Sequence, residues 1–314
     1  MKNILIVGTG LMGVEYAKVL AGLNQSFLAI GRGVINAEKF EKSTDHKAIA
    51  GGIEEYLKTN PEIPEAAIVA VGIEALAETT TQLLDFGVKK ILLEKPGIGD
   101  PSEITALVDL AEKKGATVLL AYNRRFYSSV FKAEEIINQD GGVHSFCFEF
   151  TEWSHTIAPL LKTQVEHNYW FLGNSTHVVD TAFFLGGRPK KLFALYKGGL
   201  NWHPASSVFV GAGESENGAL FSYHADWEAP GRWVIEILTK KNRLLFKPME
   251  SLQIQQIGSV AVNPVEIDDS LDKKFKPGLF LQTKAFLEND FSRFCTLQEQ
   301  AVMINKNYIP MSGY

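Results

Sequence analysis

Lys2–Gly13, with the sequence KNILIVGTGLMG, decides the fold of this 314-residue chain. The apolar run Ile4–Val7 leads directly into three glycines spaced as GxGxxG, and Val14–Ala21 follows with a helical apolar pattern. Strand, glycine turn and helix in this order are what a dinucleotide-binding turn requires, because the helix N-terminus then offers free N–H groups to a pyrophosphate. The alternative is a turn that serves only strand–helix packing. We expect the cofactor to contact six residues, namely Gly8, Thr9, Gly10, Leu11, Met12 and Gly13.

The composition is that of an ordinary globular protein, with 46% hydrophobic residues, 21% charged residues and a net charge of −5. This charge favours neither nucleic acid nor a membrane as a partner, so we expect a small-molecule ligand. No apolar run approaches the roughly 20 residues that span a bilayer, and Gly8 interrupts the first apolar stretch, so a cytoplasmic protein is expected. Cys147 and Cys295 belong to no metal-binding motif, and no metal site is predicted.

The end of the second predicted strand, Ser26–Gly31, indicates which nicotinamide cofactor is bound. A site for NAD normally places Asp or Glu here to bind the ribose hydroxyls, whereas this strand ends in Gly31 followed by Arg32. Glycine leaves room for a 2′-phosphate, and a guanidinium binds phosphate through charge-assisted, forked hydrogen bonds. The pattern predicts NADP(H) in preference to NAD(H), with Gly31 and Arg32 in contact with it. The alternative is that Arg32 is a solvated loop residue.

Strands and helices continue to alternate up to about residue 121. Ala67–Gly72 is a fully apolar strand typical of a parallel sheet, and its Val71 is a candidate cofactor contact. Lys90–Glu94 is the next strand, and Asp100 with Glu103 predicts a capping box at the start of the following helix. Residues 1–121 are therefore predicted to form a doubly wound α/β Rossmann domain with a parallel sheet.

The pattern then changes to strands with few helices between them, as in an α+β domain. Val143–Phe150 alternates between apolar and polar residues, which predicts a half-buried strand. Hairpin-type turns separate several further strand candidates, so we predict a mostly antiparallel open sheet, covered on one face by helices such as Thr176–Leu185. Helices are also predicted over Leu279–Phe294 and Leu297–Asn305. Residues 122–314 are expected to form one domain for substrate binding and oligomerisation.

Four ordered motifs together resemble the glucose–fructose oxidoreductase/inositol dehydrogenase (Gfo/Idh/MocA) family. They are the GTGLMG turn, Glu94-Lys95-Pro96, the segment 122–126 (YNRRF), and the segment 174–180 (NSTHVVD) followed by LGGRP. The resemblance covers nearly the whole chain. It implies a Rossmann domain, an open antiparallel sheet domain, and a nicotinamide-dependent oxidoreductase that acts on CH–OH groups of sugars, cyclitols and related molecules. It also implies a homodimer or homotetramer.

The resemblance also assigns roles to residues at the matching positions. Lys95 is expected to bind the nicotinamide ribose and to polarise the substrate oxygen, and its bond to Pro96 is expected to be cis. His177 is the expected acid/base, in keeping with a reference pKa near ~6.5. Asp180 either orients His177 or serves as a structural or substrate-facing carboxylate. Further cofactor contacts are expected from four residues, namely Glu94, Pro96, Asn123 and Arg125. For Asn123 and Arg125 the alternative is that they anchor the domain junction.

The segment 152–172 (EWSHTIAPLLKTQVEHNYWFL) is expected to line the substrate side of the site. Its aromatic residues can stack on a sugar ring and form hydrogen bonds with hydroxyls. They can equally belong to the core. The substrate-binding candidates besides Lys95, His177 and Asp180 are Tyr122, Trp153, His167, Tyr169, Trp170 and Asn174.

One position departs from the family pattern. Many dehydrogenases of this family carry Asp four residues before the histidine, whereas this chain has Gly173 there, with Asn174 beside it. Neither residue exchanges a proton as a carboxylate does. This leaves open a reductase that works with Lys95 and His177, or a proton carried by another residue such as His167, Tyr169 or Asp180. The leading hypothesis is an NADP(H)-dependent oxidoreductase of a sugar-like carbonyl or hydroxyl compound. The alternatives are a reductase of a C=C or C=N bond, resembling biliverdin reductase, and an NADP(H)-binding protein without turnover.

Overall fold

The computed structural model describes residues 3–160 and 162–314. The strands of these residues are, in chain order, β1 Ile4–Val7, β2 Phe27–Ile30, β3 Ala48–Ile49, β4 Ala66–Val69, β5 Lys90–Leu93, β6 Thr117–Leu120, β7 Ser145–Glu149, β8 Pro189–Lys197, β9 Val208–Ser215, β10 Leu220–Asp226, β11 Val234–Leu238, β12 Asn242–Phe246, β13 Gln253–Gln256, β14 Asn263–Pro264 and β15 Cys295–Thr296.

The α-helices of the same residues are α1 Leu11–Gly22, α2 Val34–Thr44, α3 Gly52–Lys58, α4 Leu76–Phe86, α5 Ile104–Lys113, α6 Ser128–Gln139, α7 Ser154–Ile157, α8 Gln164–Asn168, α9 Thr176–Gly186, α10 Ser270–Lys274, α11 Leu279–Glu288, α12 Leu297–Met303 and α13 Ile309–Ser312. Three 3₁₀ turns occur at Ile73–Ala75, Pro101–Glu103 and Asn123–Phe126. Two π-helical turns occur at Phe171–Ser175 and Ile304–Tyr308.

The chain divides into two compact units. The first unit contains the chain up to Asn123 together with Lys273–Val302, and the second contains Arg124–Asp272 and Met303–Tyr314. The predicted second domain was continuous from residue 122 to 314. In the structure, the C-terminal segment Lys273–Val302 belongs to the first unit instead.

The first unit is built on a seven-stranded sheet with the order β15-β6-β5-β4-β1-β2-β3. All neighbouring strands are parallel except β15, which pairs antiparallel with β6 through Cys295 and Thr296. The four central strands are almost completely buried because helices cover both faces of a parallel sheet. The doubly wound Rossmann fold predicted from the sequence is confirmed.

The C-terminal segment joins the first unit through α11, which packs against α1, and through β15 at the edge of the sheet. The predicted helix Leu279–Phe294 was too long, because α11 ends at Glu288. Asn289 then adopts a left-handed conformation (φ 61°), and its N–H binds the carbonyl of Phe286. Asparagine is one of the few side-chain-bearing residues that readily adopt this conformation at a helix end.

The second unit is built on an eight-stranded sheet with the order β14-β13-β12-β11-β7-β10-β9-β8. All pairs are antiparallel except β7 with β10, which lie parallel. The predicted mostly antiparallel sheet is therefore confirmed.

The alternating strand β7 turns its phenylalanines towards α9. Phe146, Phe148 and the following Phe150 are at most 2% exposed, and Phe183 of α9 makes edge-to-face contacts with the first two. In the described parts of the chain, no helix is long and apolar enough to cross a membrane, and no cluster of three His, Cys, Asp or Glu residues is arranged to hold a metal.

Candidate functional site

The three glycines of the turn have different surroundings in the first unit. A Cβ on Gly8 would lie 2.2 Å from the carbonyl oxygen of Ala70, and one on Gly13 would lie 1.9 Å from the carbonyl oxygen of Gly8. By contrast, a Cβ on Gly10 would meet nothing within 4 Å. Gly10 is the N-cap of α1 and contributes no side-chain cap, so the free N–H groups of Leu11 and its neighbours adjoin open space. Two glycines are thus required by packing, and the middle one leaves the room that a pyrophosphate needs.

The end of β2 excludes any side chain at position 31. A Cβ on Gly31 would lie 2.2 Å from Oγ1 of Thr9. The N–H of Gly31 binds the carbonyl of Ile49 at 2.8 Å, which holds the loop against β3. The side chain of Arg32 is exposed and forms no hydrogen bond with any residue that the structure describes. A ribose-binding carboxylate is therefore sterically excluded at this point, and a guanidinium stands beside it.

The EKP segment follows β5 and begins with a carboxylate that contacts α1. The hydroxyl of Tyr16 donates to Oε1 of Glu94 at 2.9 Å. Burial raises the pKa of Glu94, and the ammonium groups of Lys95 and Lys276 oppose this rise. The predicted cis peptide bond between Lys95 and Pro96 is confirmed. Lys95 is partly exposed at the carboxyl end of a parallel strand, the edge at which ligands bind in such sheets.

The remaining first-unit candidates lie nearer the core. Tyr122 is 1% exposed and donates its hydroxyl hydrogen to Gln300 at 3.1 Å, while Gln300 donates to the carbonyl of Pro96 at 3.0 Å. Asn123 is buried and donates to the carbonyl of Pro277 at 2.9 Å. These contacts connect the EKP segment to the C-terminal segment. Tyr122, which was expected to bind the substrate, is therefore buried and supports the EKP segment through Gln300.

In the second unit, a π-helical turn precedes the predicted acid/base. Residues 171–175 form this turn, and α9 begins directly after it, so that His177 lies in the first turn of α9. π-Helical turns inside helices are frequent at functional sites. The partly exposed imidazole of His177 lies 6.2 Å from the ring of Trp233, measured between centroids.

A buried carboxylate lies beside this turn, at the first residue of the segment predicted to line the substrate side, although the sequence did not single it out. Oε1 of Glu152 accepts hydrogen bonds from Nδ2 of Asn174 at 2.9 Å and from Oγ of Ser175 at 2.8 Å. Its Oε2 accepts from Nη1 of Arg232 at 3.2 Å. Burial raises the pKa of Glu152, whereas the three donors lower it. A carboxylate therefore does reach the segment where the family's aspartate is missing, but it comes from the end of β7.

Asp180 and Arg125 form a buried ion pair in the second unit. Nε and Nη2 of Arg125 donate to the two carboxylate oxygens at 2.8 and 2.6 Å, and both side chains are less than 10% exposed. This forked arrangement is the strongest geometry for such a pair. This pair favours a structural role for Asp180 over the orientation of His177. It also engages two N–H donors of Arg125, a residue that was expected to contact the cofactor.

Most of the aromatic candidates pack on one another. His167 and Trp170 lie 5.6 and 5.8 Å from Trp202, and Tyr169 makes an edge-to-face contact with Tyr314. Trp153 differs, because its indole is 46% exposed and its Nε1 donates to the carbonyl of Gly231 at 2.7 Å. Trp153 is thus the candidate of this segment that is best placed to meet a ligand.

The predicted residues are divided between the two units. The first unit holds the glycine turn, Gly31 and Arg32, Val71, the EKP segment and Asn123, and the second holds Asn174, His177, Asp180 and the aromatic candidates. The sequence did not indicate a role for Tyr16, Lys276 and Gln300 in the first unit or for Arg232 in the second. It included Glu152 in the segment 152–172 but did not single it out. A local signal existed only for Glu152, as a carboxylate directly after an alternating strand.

Residues 2–122 match the profile described as the oxidoreductase family with an NAD-binding Rossmann fold, Gfo/Idh/MocA. No curated protein sequence matches the chain. Among solved structures, levoglucosan dehydrogenase in complex with NADH and L-sorbose is similar, with a TM-score of 0.77, 16% identity, and coverage of 96% of this chain and 94% of that one.

Two further solved structures share the fold. UDP-N-acetylglucosamine 3-dehydrogenase from Acidithiobacillus ferrooxidans has a TM-score of 0.73 at 14% identity, covering 99% of this chain and 96% of that one. An oxidoreductase from Desulfitobacterium hafniense, described as NADPH-dependent, has a TM-score of 0.77 at 17% identity, covering 96% and 92%. At these identities the likeness establishes the fold. Residues 2–122 thus match the family that the sequence motifs predicted, and the match covers the Rossmann part of the chain.

Proposed function

We propose that the protein is an NADP(H)-dependent oxidoreductase that transfers a hydride to or from a carbonyl or hydroxyl carbon of a sugar-like small molecule. The observation that carries this proposal is the open space at Gly10, beside the N-terminus of α1, in a unit of this oxidoreductase family. Sugar dehydrogenases among the structural neighbours support the substrate class.

The preference for NADP(H) rests on Gly31 and Arg32. Thr9 fills the space in which a side chain at position 31 would stand, so no carboxylate at that position repels a 2′-phosphate. The exposed guanidinium of Arg32 has its donors available for a phosphate, and forked arginine–phosphate pairs are about twice as strong as neutral hydrogen bonds.

Lys95 and His177 are proposed as the residues that act on the substrate. Lys95 polarises the substrate oxygen with its ammonium group, and His177 gives or takes the hydroxyl proton. Asn174 has its amide nitrogen engaged by Glu152, so its carbonyl oxygen remains as an acceptor for a substrate hydroxyl. This oxygen does not titrate, so in this proposal the proton exchange is assigned to His177 and not to Asn174.

The test is NADPH oxidation and NADP⁺ reduction across a panel of sugars, cyclitols and sugar derivatives. Lys95→Ala and His177→Ala are each expected to lower kcat/KM by about 10²–10⁴-fold, the usual range for acid–base groups. Lys113→Ala and His144→Ala, at exposed positions, are the matched controls and should keep full activity. Full turnover in both Lys95→Ala and His177→Ala would show that these residues do not act on the substrate.

The glycine at position 173, where many members of the family carry aspartate, supports two further candidate functions. A reductase of a C=C or C=N bond requires no carboxylate at this position, and it would reduce bilin-like or imine substrates but no sugar. An NADP(H)-binding protein without turnover would bind NADPH tightly and show no substrate-dependent absorbance change with any member of the panel.

A homodimer or homotetramer is proposed from the outer face of the second sheet. Phe193 and Leu195 of β8, Val210 of β9 and Leu220 of β10 lie on this face and are 44–67% exposed. Large apolar side chains exposed on one face of a sheet are typical of an interaction surface. Light scattering should show an oligomer, and Phe193→Glu/Leu195→Glu should give monomers. A monomeric wild-type protein would contradict this assembly.

A further inference from the structure

Two tryptophans hold an arginine in the second unit. The guanidinium carbon of Arg232 lies 4.8 Å from the ring centroid of Trp153 and 4.8 Å from that of Trp233. The guanidinium of Arg124 lies 4.8 Å from the Trp233 ring as well. We call these four residues the arginine stack. The bond from Trp153 to the carbonyl of Gly231 ties the first indole to the residue before Arg232. Such stacking restricts the orientation of a guanidinium before any ligand arrives.

Most donors of Arg232 remain available. In the described ranges its one hydrogen bond is that from Nη1 to Glu152, and its side chain is 45% exposed. A guanidinium has five N–H donors in a planar fork that matches a carboxylate. A surface arginine without such restraints would lose considerable side-chain entropy on binding, whereas Arg232 is already ordered by its two rings and by Glu152.

A cavity adjoins the arginine stack within the same unit. It has a volume of about 850 Å³, and its lining includes Glu152, Trp153 and Gly231, which contact or neighbour Arg232. The lining also includes His155, Trp227 and Glu228. Most of the lining is apolar, and aromatic rings of this kind pack against sugar rings. The cavity therefore offers a place for a ring beside a fixed cation.

The surrounding charges favour a ligand with a single negative charge. Glu152 lies 3.2 Å from Arg232, and Glu228 lines the cavity, so a second negative charge on the ligand meets repulsion. A carboxylate satisfies these conditions better than a phosphate dianion.

We propose that Arg232 is a specificity-determining residue that binds a carboxylate of the substrate, so that the substrate class is sugar acids and related hydroxy acids. This inference rests on the proposed function for the reaction, but it concerns binding alone. Arg124 supports it by holding Trp233 in place.

The experiment is calorimetric binding of matched ligands to the full chain at pH 7. D-Glucuronate and D-glucose share a ring and differ by the carboxylate, and D-gluconate with sorbitol gives a second pair. The carboxylate is expected to bind about 10–100-fold more tightly than its neutral partner, as a charged hydrogen-bonded pair implies. Glucose 6-phosphate tests the dianion and should bind more weakly than glucuronate.

Arg232→Gln should remove the preference for the carboxylate in both pairs, and Arg232→Lys should keep part of it. Arg243→Gln is the matched control, since Arg243 is similarly exposed (44%) and paired with Glu236 on neighbouring strands. Equal affinity of acid and neutral partner, no binding of either acid, tighter glucose 6-phosphate binding, or an unchanged preference in Arg232→Gln would each overturn the proposal. Turnover is measured separately, so a protein that binds acids without hydride transfer would refute only the proposed function.

Discussion

Gly10→Ala and Gly13→Ala separate a nucleotide-binding turn from a packing turn. A methyl group on Gly13 would lie 1.9 Å from the carbonyl oxygen of Gly8 and 2.9 Å from its carbon, whereas an ordinary contact needs 3.4 Å or more. Helix α1 would have to move by about 1.5 Å relative to the turn, and overpacking of this kind costs about 1–3 kcal/mol, sometimes more. We therefore expect Gly13→Ala to lose stability and, with it, nucleotide binding.

Gly10→Ala is expected to keep the stability of the fold and to weaken nucleotide binding directly. A methyl group on Gly10 meets nothing within 4 Å, and the backbone there (φ −79°, ψ −168°) suits alanine. The free energy of unfolding should change by no more than about 0.5 kcal/mol. The same methyl group would occupy the space that the backbone leaves for the pyrophosphate, so the Kd for NADPH should rise at least about tenfold, since close approach is the role of this glycine.

The two variants are compared by thermal unfolding and by NADPH titration followed through nucleotide fluorescence. Gly33→Ala is the matched control, because a Cβ there also meets nothing within 4 Å. NADPH binding at wild-type affinity by Gly10→Ala would show that the open space beside α1 is not the nucleotide site. Wild-type stability in Gly13→Ala would show that the described packing of the turn is incorrect.

Two further predictions concern buried groups of the second unit. Asp180→Asn should cost about 3–5 kcal/mol, because it leaves the charge of Arg125 buried and uncompensated, and Arg125→Met/Asp180→Leu should recover most of the loss in denaturant unfolding. A double variant as unstable as Asp180→Asn would contradict this cause. Burial lowers the pKa of His203 from 6.5 to about 4. The folded state therefore favours the neutral imidazole, and this contribution to stability is fully present above pH 6.5. As the pH falls towards 4, the free energy of unfolding decreases by up to about 3 kcal/mol. His203→Gln should weaken this dependence of stability on pH, whereas His144→Gln should not; an unchanged profile in His203→Gln would contradict the assignment.

The neutral His203 also takes part in a chain of hydrogen bonds that includes Tyr314. Nδ1 of His203 lies 2.8 Å from the carbonyl oxygen of Ser206, so this nitrogen carries the hydrogen. Nε2 then accepts from the hydroxyl of Tyr314 at 2.8 Å, and the oxygen of Tyr314 accepts from the N–H of Phe171 at 3.0 Å. Phe171 begins the π-helical turn before His177, so these bonds connect His203 and Tyr314 to the candidate site.

Features set by neighbouring residues could be predicted from the sequence. The alternation at Phe146 and Phe148 correctly indicated a half-buried strand, because side chains alternate between the faces of any strand. Asp100 and Glu103 form the predicted capping box, with Ser102 N–H donating to Asp100 and the N–H of Asp100 donating to Glu103. Such signals lie within one turn of chain and need no knowledge of the tertiary fold.

Features set by distant residues could not be predicted in this way. Glu152 and Arg232 are 80 residues apart, and they meet because β7 pairs with β11 through Glu149 and Val234. Nothing in the local sequence around Arg232 specifies this register. The C-terminal segment is a similar case, since the apolar pattern of α11 predicts a helix but not which unit the helix joins.

The central claim is that the first unit binds NADP(H) in preference to NAD(H), and the most direct test is the ratio of the two dissociation constants. Titration of the wild-type protein with NADPH and with NADH should give at least about tenfold tighter binding of NADPH, as one charge-assisted phosphate contact supplies. Arg32→Ala should remove most of this difference through weaker NADPH binding and leave NADH binding unchanged. Equal affinities, or tighter binding of NADH by the wild-type protein, would contradict the claim.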